Sequence, residues 1–168
     1  MGLVSGAKLL KIKLIALGKT KNGPEHNLIL DYLKRSKAVG RSYGINEIDV
    51  IDVDKRKVTS FKELEEILGY RLKGKGVNNQ LVSLDSRGVL MSSLSFSRFI
   101  TNLIQDGVHQ LGFFIGGPDG IPPDVLKTCG TSISFGRFTY PHQLFKVMLL
   151  EQIYRATTIM AKHPYHKE

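Results

Sequence analysis

Five apolar, strand-like runs alternate with five helical patterns along 168 residues, and that order restricts the fold more than any other feature. Lys11-Ile12-Lys13-Leu14-Ile15-Ala16-Leu17 alternates, turns fully apolar and stops at Gly18, as a first strand does. Asn22-Gly23-Pro24 breaks the chain, and Pro24 suits the first turn of a helix reaching about Gly40, with Leu28, Ile29, Tyr32 and Leu33 inward. Ile45 to Val53 reads as a strand with one wet face. Ser60-Phe61-Lys62-Glu63 is a capping box, opening a helix to about Lys73 that Gly74-Lys75-Gly76 closes. A strand over Gln80–Leu84 ends at Asp85. A helix capped by Ser92 or Ser93 follows, with Leu94, Phe99, Leu103 and Ile104 as its apolar positions. Gln110–Ile115 has the continuous apolar end of a central strand covered on both faces. Pro122-Pro123-Asp124 opens a short helix through Cys129, Ser132–Phe135 is one more strand, and Pro141 to about Ala161 is the longest helix. This alternation predicts a three-layer α/β/α domain around an open, mostly parallel sheet. The domain spans 11–168, with 1–10 as a flexible extension or the stub of an organellar presequence.

The last helix carries two apolar stripes: Phe145, Leu149, Ile153, Ala156 and Met160, then Val147, Leu150, Tyr154 and Ala161. Two stripes mean burial on more than one side. Either a partner subunit covers the second, or the helix is sunk in its own core.

The charge is +9, and it is uneven. Residues 1–84 hold 16 Lys/Arg against 9 Asp/Glu; residues 85–168 hold 8 against 6. A basic front half suits a polyanion such as nucleic acid, or serves solubility alone. No apolar run reaches the roughly 18 residues of a membrane-spanning helix, so no membrane partner is expected. Cys129 is the one cysteine, which excludes an intrachain disulfide.

In open α/β sheets ligands bind beyond the carboxyl ends of strands. Three such ends attract notice: Leu84-Asp85, Ile115-Gly116-Gly117, and Phe135 to Tyr140. At Gly116-Gly117 no side chain stands between backbone amides and a ligand, although a plain tight turn uses the same residues. No P-loop or dinucleotide fingerprint is present. His163 and His166 lack the companions of a metal site, so no metal is expected. His142 follows Pro141 at a helix start.

Four blocks together are more specific. Ile115-Gly116-Gly117-Pro118-Asp119-Gly120, Thr139-Tyr140-Pro141-His142-Gln143-Leu144, Glu151-Gln152-Ile153-Tyr154-Arg155-Ala156 and His163-Pro164-Tyr165-His166-Lys167-Glu168 occur in this order. Their sequence and spacing resemble the large-subunit ribosomal RNA pseudouridine N3-methyltransferases of the trefoil-knotted SPOUT superfamily. The resemblance runs from about Lys11 to the last residue. It implies a deep C-terminal trefoil knot, a homodimer with the long last helix at its interface, and S-adenosylmethionine as cofactor. The implied cofactor-binding residues are Leu84, Gly116, Gly117, Phe135, Gly136, Arg137, Phe138, Thr139 and Tyr140. The loop Phe135 to Phe138 is bulkier and more basic than the family's small apolar residues. The implied acceptor is a modified uridine of large-subunit rRNA on the assembled ribosome. The setting is the cytoplasm, or a chloroplast or mitochondrion if the N-terminus is a trimmed presequence.

A uridine-like N3 must lose a proton to attack a methyl group. His166 and Tyr165, reaching from the tail over a cofactor of their own or the partner subunit, are the expected catalytic groups, and Arg155 pairs with Glu151 or binds RNA phosphate. Two other classes compete: a non-catalytic RNA- or ribosome-binding module of the same fold, and an α/β enzyme with a small anionic substrate at the glycine turn.

Overall fold

A computed structural model of the chain describes residues 9–58, 60–72, 78–117 and 119–167. All ten expected elements occur within them. They are β1 (Leu10–Leu17), α1 (Pro24–Gly40), β2 (Ile45–Val53), α2 (Phe61–Leu68), β3 (Asn79–Leu90), α3 (Ser93–Gln105), β4 (Gln110–Ile115), α4 (Pro123–Leu126), β5 (Thr131–Ser134) and α5 (His142–Met160). The strands form one sheet in the order β2-β1-β4-β3-β5, and every pairing is parallel.

Alternation along β1 builds two cores. Ile12, Leu14 and Ala16 face one side with residues of α1, α3 and α5; Ile15 and Leu17 face the other with residues of α2 and α4. A strand covered on both faces carries apolar residues at successive positions, which is why the end of β1 and nearly all of β4 lost their polar alternation. The α/β/α expectation holds.

Several boundaries move. The capping box forms as expected: Glu63 N–H donates to Ser60 Oγ at 3.4 Å, and Ser60 N–H donates to Glu63 Oε2 at 3.0 Å. The helix nevertheless stops at Leu68, because Gly69 takes the left-handed conformation (φ 71°) that ends helices. The expected closure at Gly74-Lys75-Gly76 lies outside the described residues. In α1, Leu28 is 42% exposed, and Ile29 is the deeply buried apolar position. In α3 the core positions are Phe96, Ile100 and Leu103, while Leu94, Phe99 and Ile104 are only partly buried. Past Leu126 the chain tightens, with Thr128 and Cys129 N–H donating to carbonyls three residues back, so α4 is one short turn rather than a helix through Cys129.

The stripes of α5 are resolved by its neighbours. Tyr154 of the second stripe meets Tyr32 of α1 with ring centroids 6.1 Å apart, and Val147, Leu150 and Tyr154 are all buried within the single chain. Tyr154 of the second stripe is thus covered by the protein's own α1, while Val147 also lines a hollow with Leu90, Met91 and Phe96.

β3 runs well past Leu84, and the reason is a crossing. Ile133 of β5 is paired with both Leu84 and Val89 of β3, so residues 85–88 arch over β5. Gly88 makes the contact possible: a Cβ there would lie 2.7 Å from backbone atoms of Ser132 and Ile133. Ser134 Oγ donates to Ser86 O at 3.2 Å across the same crossing.

Candidate functional site

In a parallel sheet every strand delivers its following loop to the same edge. The loops after β3, β4 and β5 therefore meet, and they enclose a cavity of about 400 Å³. Its wall contains Leu84, Gly116, Gly117, Phe135, Gly136, Phe138, Thr139 and Tyr140. Of the expected cofactor-binding residues, only Arg137 is outside that wall. Asp85, Ser86, Arg87, Gly120, Ile121, His142 and Phe145 also line it; the sequence points to Asp85 as a strand end and to His142 as a helix start and a weaker catalytic candidate beside the cofactor loop.

The glycines do something different from what their sequence suggests. A Cβ on Gly116 would sit 2.8 Å from Gly120 backbone atoms and from Ile121 Cγ1, so Gly116 makes room for the returning chain. Gly117 N–H donates to Gly120 O at 3.2 Å and Gly120 N–H returns a bond to Gly117 O at 2.9 Å. The turn therefore satisfies the Gly117 amide internally. Among the described residues, no group accepts a bond from the backbone N–H of Gly116, nor from that of Arg137, Phe138, Thr139 or Tyr140 on the loop opposite. Gly136 (φ 117°) sets that loop's direction, and its N–H is taken by Ser134 Oγ at 3.1 Å.

Apolar and aromatic walls surround these donors. Phe145 lies between Phe135 and Tyr140, with centroids 5.1 and 5.9 Å away. The rim carries one carboxylate. Asp85 accepts from Arg87 Nε at 3.0 Å and from Arg87 N–H at 2.9 Å, and these bonds hold its pKa below the usual carboxylate range. The site can therefore receive a partly apolar, planar ligand with acceptors toward loop 137–140 and a cationic group toward Asp85. S-adenosylmethionine fits that description: its adenine and carboxylate supply acceptors, and its ammonium and sulfonium supply positive charge. A volume near 400 Å³ is also within the range of cofactor sites, roughly 300–1,000 Å³.

The expected catalytic residues gather elsewhere, on the outer face of α5. Arg155 donates to Glu151 Oε1 from Nη2 at 2.6 Å and from Nε at 3.0 Å. Its guanidinium lies 4.8 Å from the Tyr165 ring centroid, and Nη1 is 3.5 Å from His166 Nδ1. Tyr165 donates its hydroxyl to Glu151 at 3.1 Å, and its ring packs edge-on to Tyr154. Burial, then Tyr32 and Glu151, raise the Tyr165 pKa, so the phenol stays protonated and cannot act as the base at neutral pH. A guanidinium only donates, so His166 Nδ1 is the acceptor and Nε2 carries the proton. That Nε2 is buried and has no partner among the described residues. None of Arg155, Tyr165 and His166 lines the 400 Å³ cavity of their own chain.

A second cavity, of about 460 Å³, lies on the other side of Phe135. Leu90, Met91, Phe96, Val147 and Met148 make it strongly apolar, and Glu151 and Gln152 sit at its rim. Glu151 thereby connects this hollow to the tail cluster. Among the described residues there is no group of three or more His, Cys, Asp or Glu placed to hold a metal.

Comparison with known proteins agrees with this geometry. The family model described as "Predicted SPOUT methyltransferase" matches residues 10–166. A protein of Methylocella silvestris named ribosomal RNA large subunit methyltransferase H is 36% identical over 95% of this chain and 100% of its own length. The protein of the same name from Paracoccus denitrificans is 38% identical, again over 95% and 100%. A solved structure of the SpoU methyltransferase AviRb of Streptomyces viridochromogenes, in complex with AdoMet, is 13% identical with a TM-score of 0.46; the match covers 94% of this chain and 60% of that one. With the model matching nearly its whole length and full-length relatives above one-third identity, this chain belongs to the SPOUT methyltransferase family.

Proposed function

We propose that this protein methylates N3 of a pseudouridine in large-subunit ribosomal RNA, on the assembled ribosome, with S-adenosylmethionine as methyl donor. The observation that carries the reading is the cavity at the carboxyl ends of β3, β4 and β5, with its row of open amides, in a chain whose full-length relatives are named large-subunit rRNA methyltransferases. Bacterial ribosomes work in the cytoplasm, which makes it the site of action in this reading. Among the described residues, no helix is long and apolar enough to cross a membrane.

Leu84, the Gly116–Gly117 turn and Phe135 to Tyr140 are the cofactor wall in this reading, with Arg137 at its outer edge. The cofactor supplies a methyl group already activated on a sulfonium. The protein's task is then to position N3, exclude water and favour the N3 anion. In the transfer the N3–methyl bond forms as the sulfonium–methyl bond breaks, leaving a thioether, and the N3 proton goes to solvent.

His166 is suited to a task other than general base. Its Nε2–H is a free, buried donor, and its Nδ1 is held by Arg155. Donation from Nε2–H to a carbonyl oxygen beside N3 stabilises the developing anion, and the adjacent Arg155 charge adds to the effect. Tyr165 and Glu151 orient Arg155.

The tail cluster is remote from its own chain's cofactor cavity, so the reading needs a homodimer in which the tail of one protomer serves the cavity of the other. Support comes from the apolar hollow beside Phe135 and from Val89, Leu90 and Phe138, which are 58%, 68% and 79% exposed in the single chain. The test is transfer of labelled methyl to ribosomes lacking this modification. Label in large-subunit rRNA is expected; label nowhere, with cofactor bound, overturns the reading. His166→Ala is expected to bind cofactor normally yet transfer at least a hundredfold more slowly. Mixing it with a cofactor-deficient variant is expected to restore activity through mixed dimers, and no restoration rules out the tail acting across the interface.

A further inference from the structure

We propose that the turn after β1, residues 18–23, is a phosphate-binding edge for the RNA strand that enters the site, held in shape by a buried ion pair between Lys146 and Asp52. The inference rests on the rRNA methyltransferase reading and adds the surface that grips the substrate.

The ion pair comes first. Lys146 is in the first turns of α5, and its side chain is 1% exposed. Its ammonium donates to Asp52 Oδ1 at 2.5 Å, Thr20 Oγ1 at 2.8 Å and Gly18 O at 3.4 Å. Three donors thus meet three acceptors, the condition under which a buried ammonium is tolerable. Asp52, at the end of β2, also accepts from Thr20 N–H at 2.5 Å. Thr20 is therefore fixed through both its backbone and its hydroxyl.

Fixing Thr20 inward turns its neighbours outward. Lys19 and Lys21 are both exposed, and neither has an ion-pair partner among the described residues. Many other cations of the chain are paired: Lys11 with Glu47, Arg35 with Asp31, Lys37 with Asp49, and Arg56 with Asp54. Two unpaired lysines flanking one pinned residue form a cationic edge with a set spacing. They border a groove of about 650 Å³ that also contains Asn22, His142 and Gln143 as donors, and Glu25 as the one carboxylate.

The groove leads to the cofactor cavity. β1 pairs with β4 through Ala16 and Ile115, so the loops after these strands are neighbours. A Cβ on Gly117 would lie 3.6 Å from Leu17 Cβ, an ordinary contact. His142 belongs to both walls. A strand whose phosphates lie along Lys19 and Lys21 therefore passes the mouth of the cavity. The turn after β1 has the charge, exposure and rigidity for that task, and a polyanion of regular spacing is the ligand that such an edge fits.

The test is equilibrium binding of assembled ribosomes lacking the modification over a range of KCl concentrations, with wild type and with Lys19→Gln/Lys21→Gln. The expected result is a loss of affinity of about tenfold near physiological salt and a log–log salt slope smaller by about 1.4, for two single-strand phosphate contacts at roughly 0.7 each. S-adenosylmethionine binding and the melting temperature are expected to stay the same. Unchanged affinity and slope would overturn the inference whether or not methyl transfer occurs. A wild type that binds assembled ribosomes lacking the modification but never labels their large-subunit RNA defeats the methyltransferase reading instead, and leaves this result standing.

Discussion

Gly88→Ala tests the crossing on which the site is built. The new Cβ would lie 2.7 Å from Ser132 C, Ser132 O and Ile133 C, against an ordinary contact limit of 3.4 Å, so the arch and β5 must separate by at least 0.7 Å. Neither can retreat easily. β5 is held from the β3 side by the pairs Val82–Thr131, Ser83–Ser132 and Leu84–Ile133, and by a hydroxyl bond between Ser83 and Ser132. Ile133 is 1% exposed in the larger core. Overpacking of this kind costs about 1–3 kcal/mol. Losing the Ser134–Ser86 bond and one ladder bond adds roughly 1 kcal/mol each. A total of about 3–5 kcal/mol corresponds to a melting temperature lower by about 6–20 °C for a chain of this size. Calorimetry or circular dichroism measures it, with Gly130→Ala as the control, since a Cβ there meets nothing within 4 Å. A Gly88→Ala melt within 2 °C of wild type would refute the claim that this contact is tight.

Two further perturbations separate structure from chemistry. Gly116→Val pushes Gly120 and Ile121 out of the cavity wall and is expected to lower cofactor affinity at least tenfold by calorimetric titration; unchanged affinity would show that the cofactor binds elsewhere. Lys146→Met leaves Asp52 without its cation and is expected to cost about 2 kcal/mol, less than a fully buried pair because the Asp52 side chain is 25% exposed. In the folded protein, burial pushes the Asp52 pKa up, but bonds from Lys146 and Thr20 outweigh it and leave the pKa below its ordinary value. The sign follows: that contribution is present above the unfolded carboxylate pKa, near 4, and is lost as pH falls through the lower folded value. Urea midpoints between pH 6 and pH 3 are therefore expected to fall less steeply for Asp52→Asn than for wild type, and equal slopes would remove Asp52 from the acid response.

The fold was largely legible because β1 and β4 carry apolar residues on both faces and alternate with amphipathic helices. Patterning reports which faces are buried. It does not report which backbone passes over which, so the pattern alone ends β3 at Leu84 and gives no sign of the crossing at Gly88. The cavity wall was legible only as a set of strand ends and a family likeness. Gly116 has a second role that the sequence did not signal: it admits Ile121 and Gly120, and further amides without an acceptor lie on the facing loop. Lys146 and Asp52 went unremarked, since residues 94 positions apart give no local signal of pairing.

Charge distribution separates the work of the two halves. In the second half, Arg87, Lys127, Lys146 and Arg155 each have an acidic partner. These pairs lie at the arch, the start of α5 and the tail, and offset cationic charge there; Arg137, at the outer edge of the proposed cofactor wall, is left without an acidic partner among the described residues. Free cations close to the cofactor cavity would oppose a ligand that carries a positive sulfonium, and at the effective dielectric of a partly exposed pocket each would cost on the order of 1–4 kcal/mol at 4 Å. An RNA substrate needs cations all the same. Lys19 and Lys21 meet both demands: they stand at the same sheet edge, one strand removed from the Gly116–Gly117 turn, outside the wall proposed to hold the cofactor. Moving a lysine inward, as in Thr139→Lys, is therefore expected to weaken cofactor binding more than RNA binding. The reverse order would mean that the pocket does not discriminate by charge.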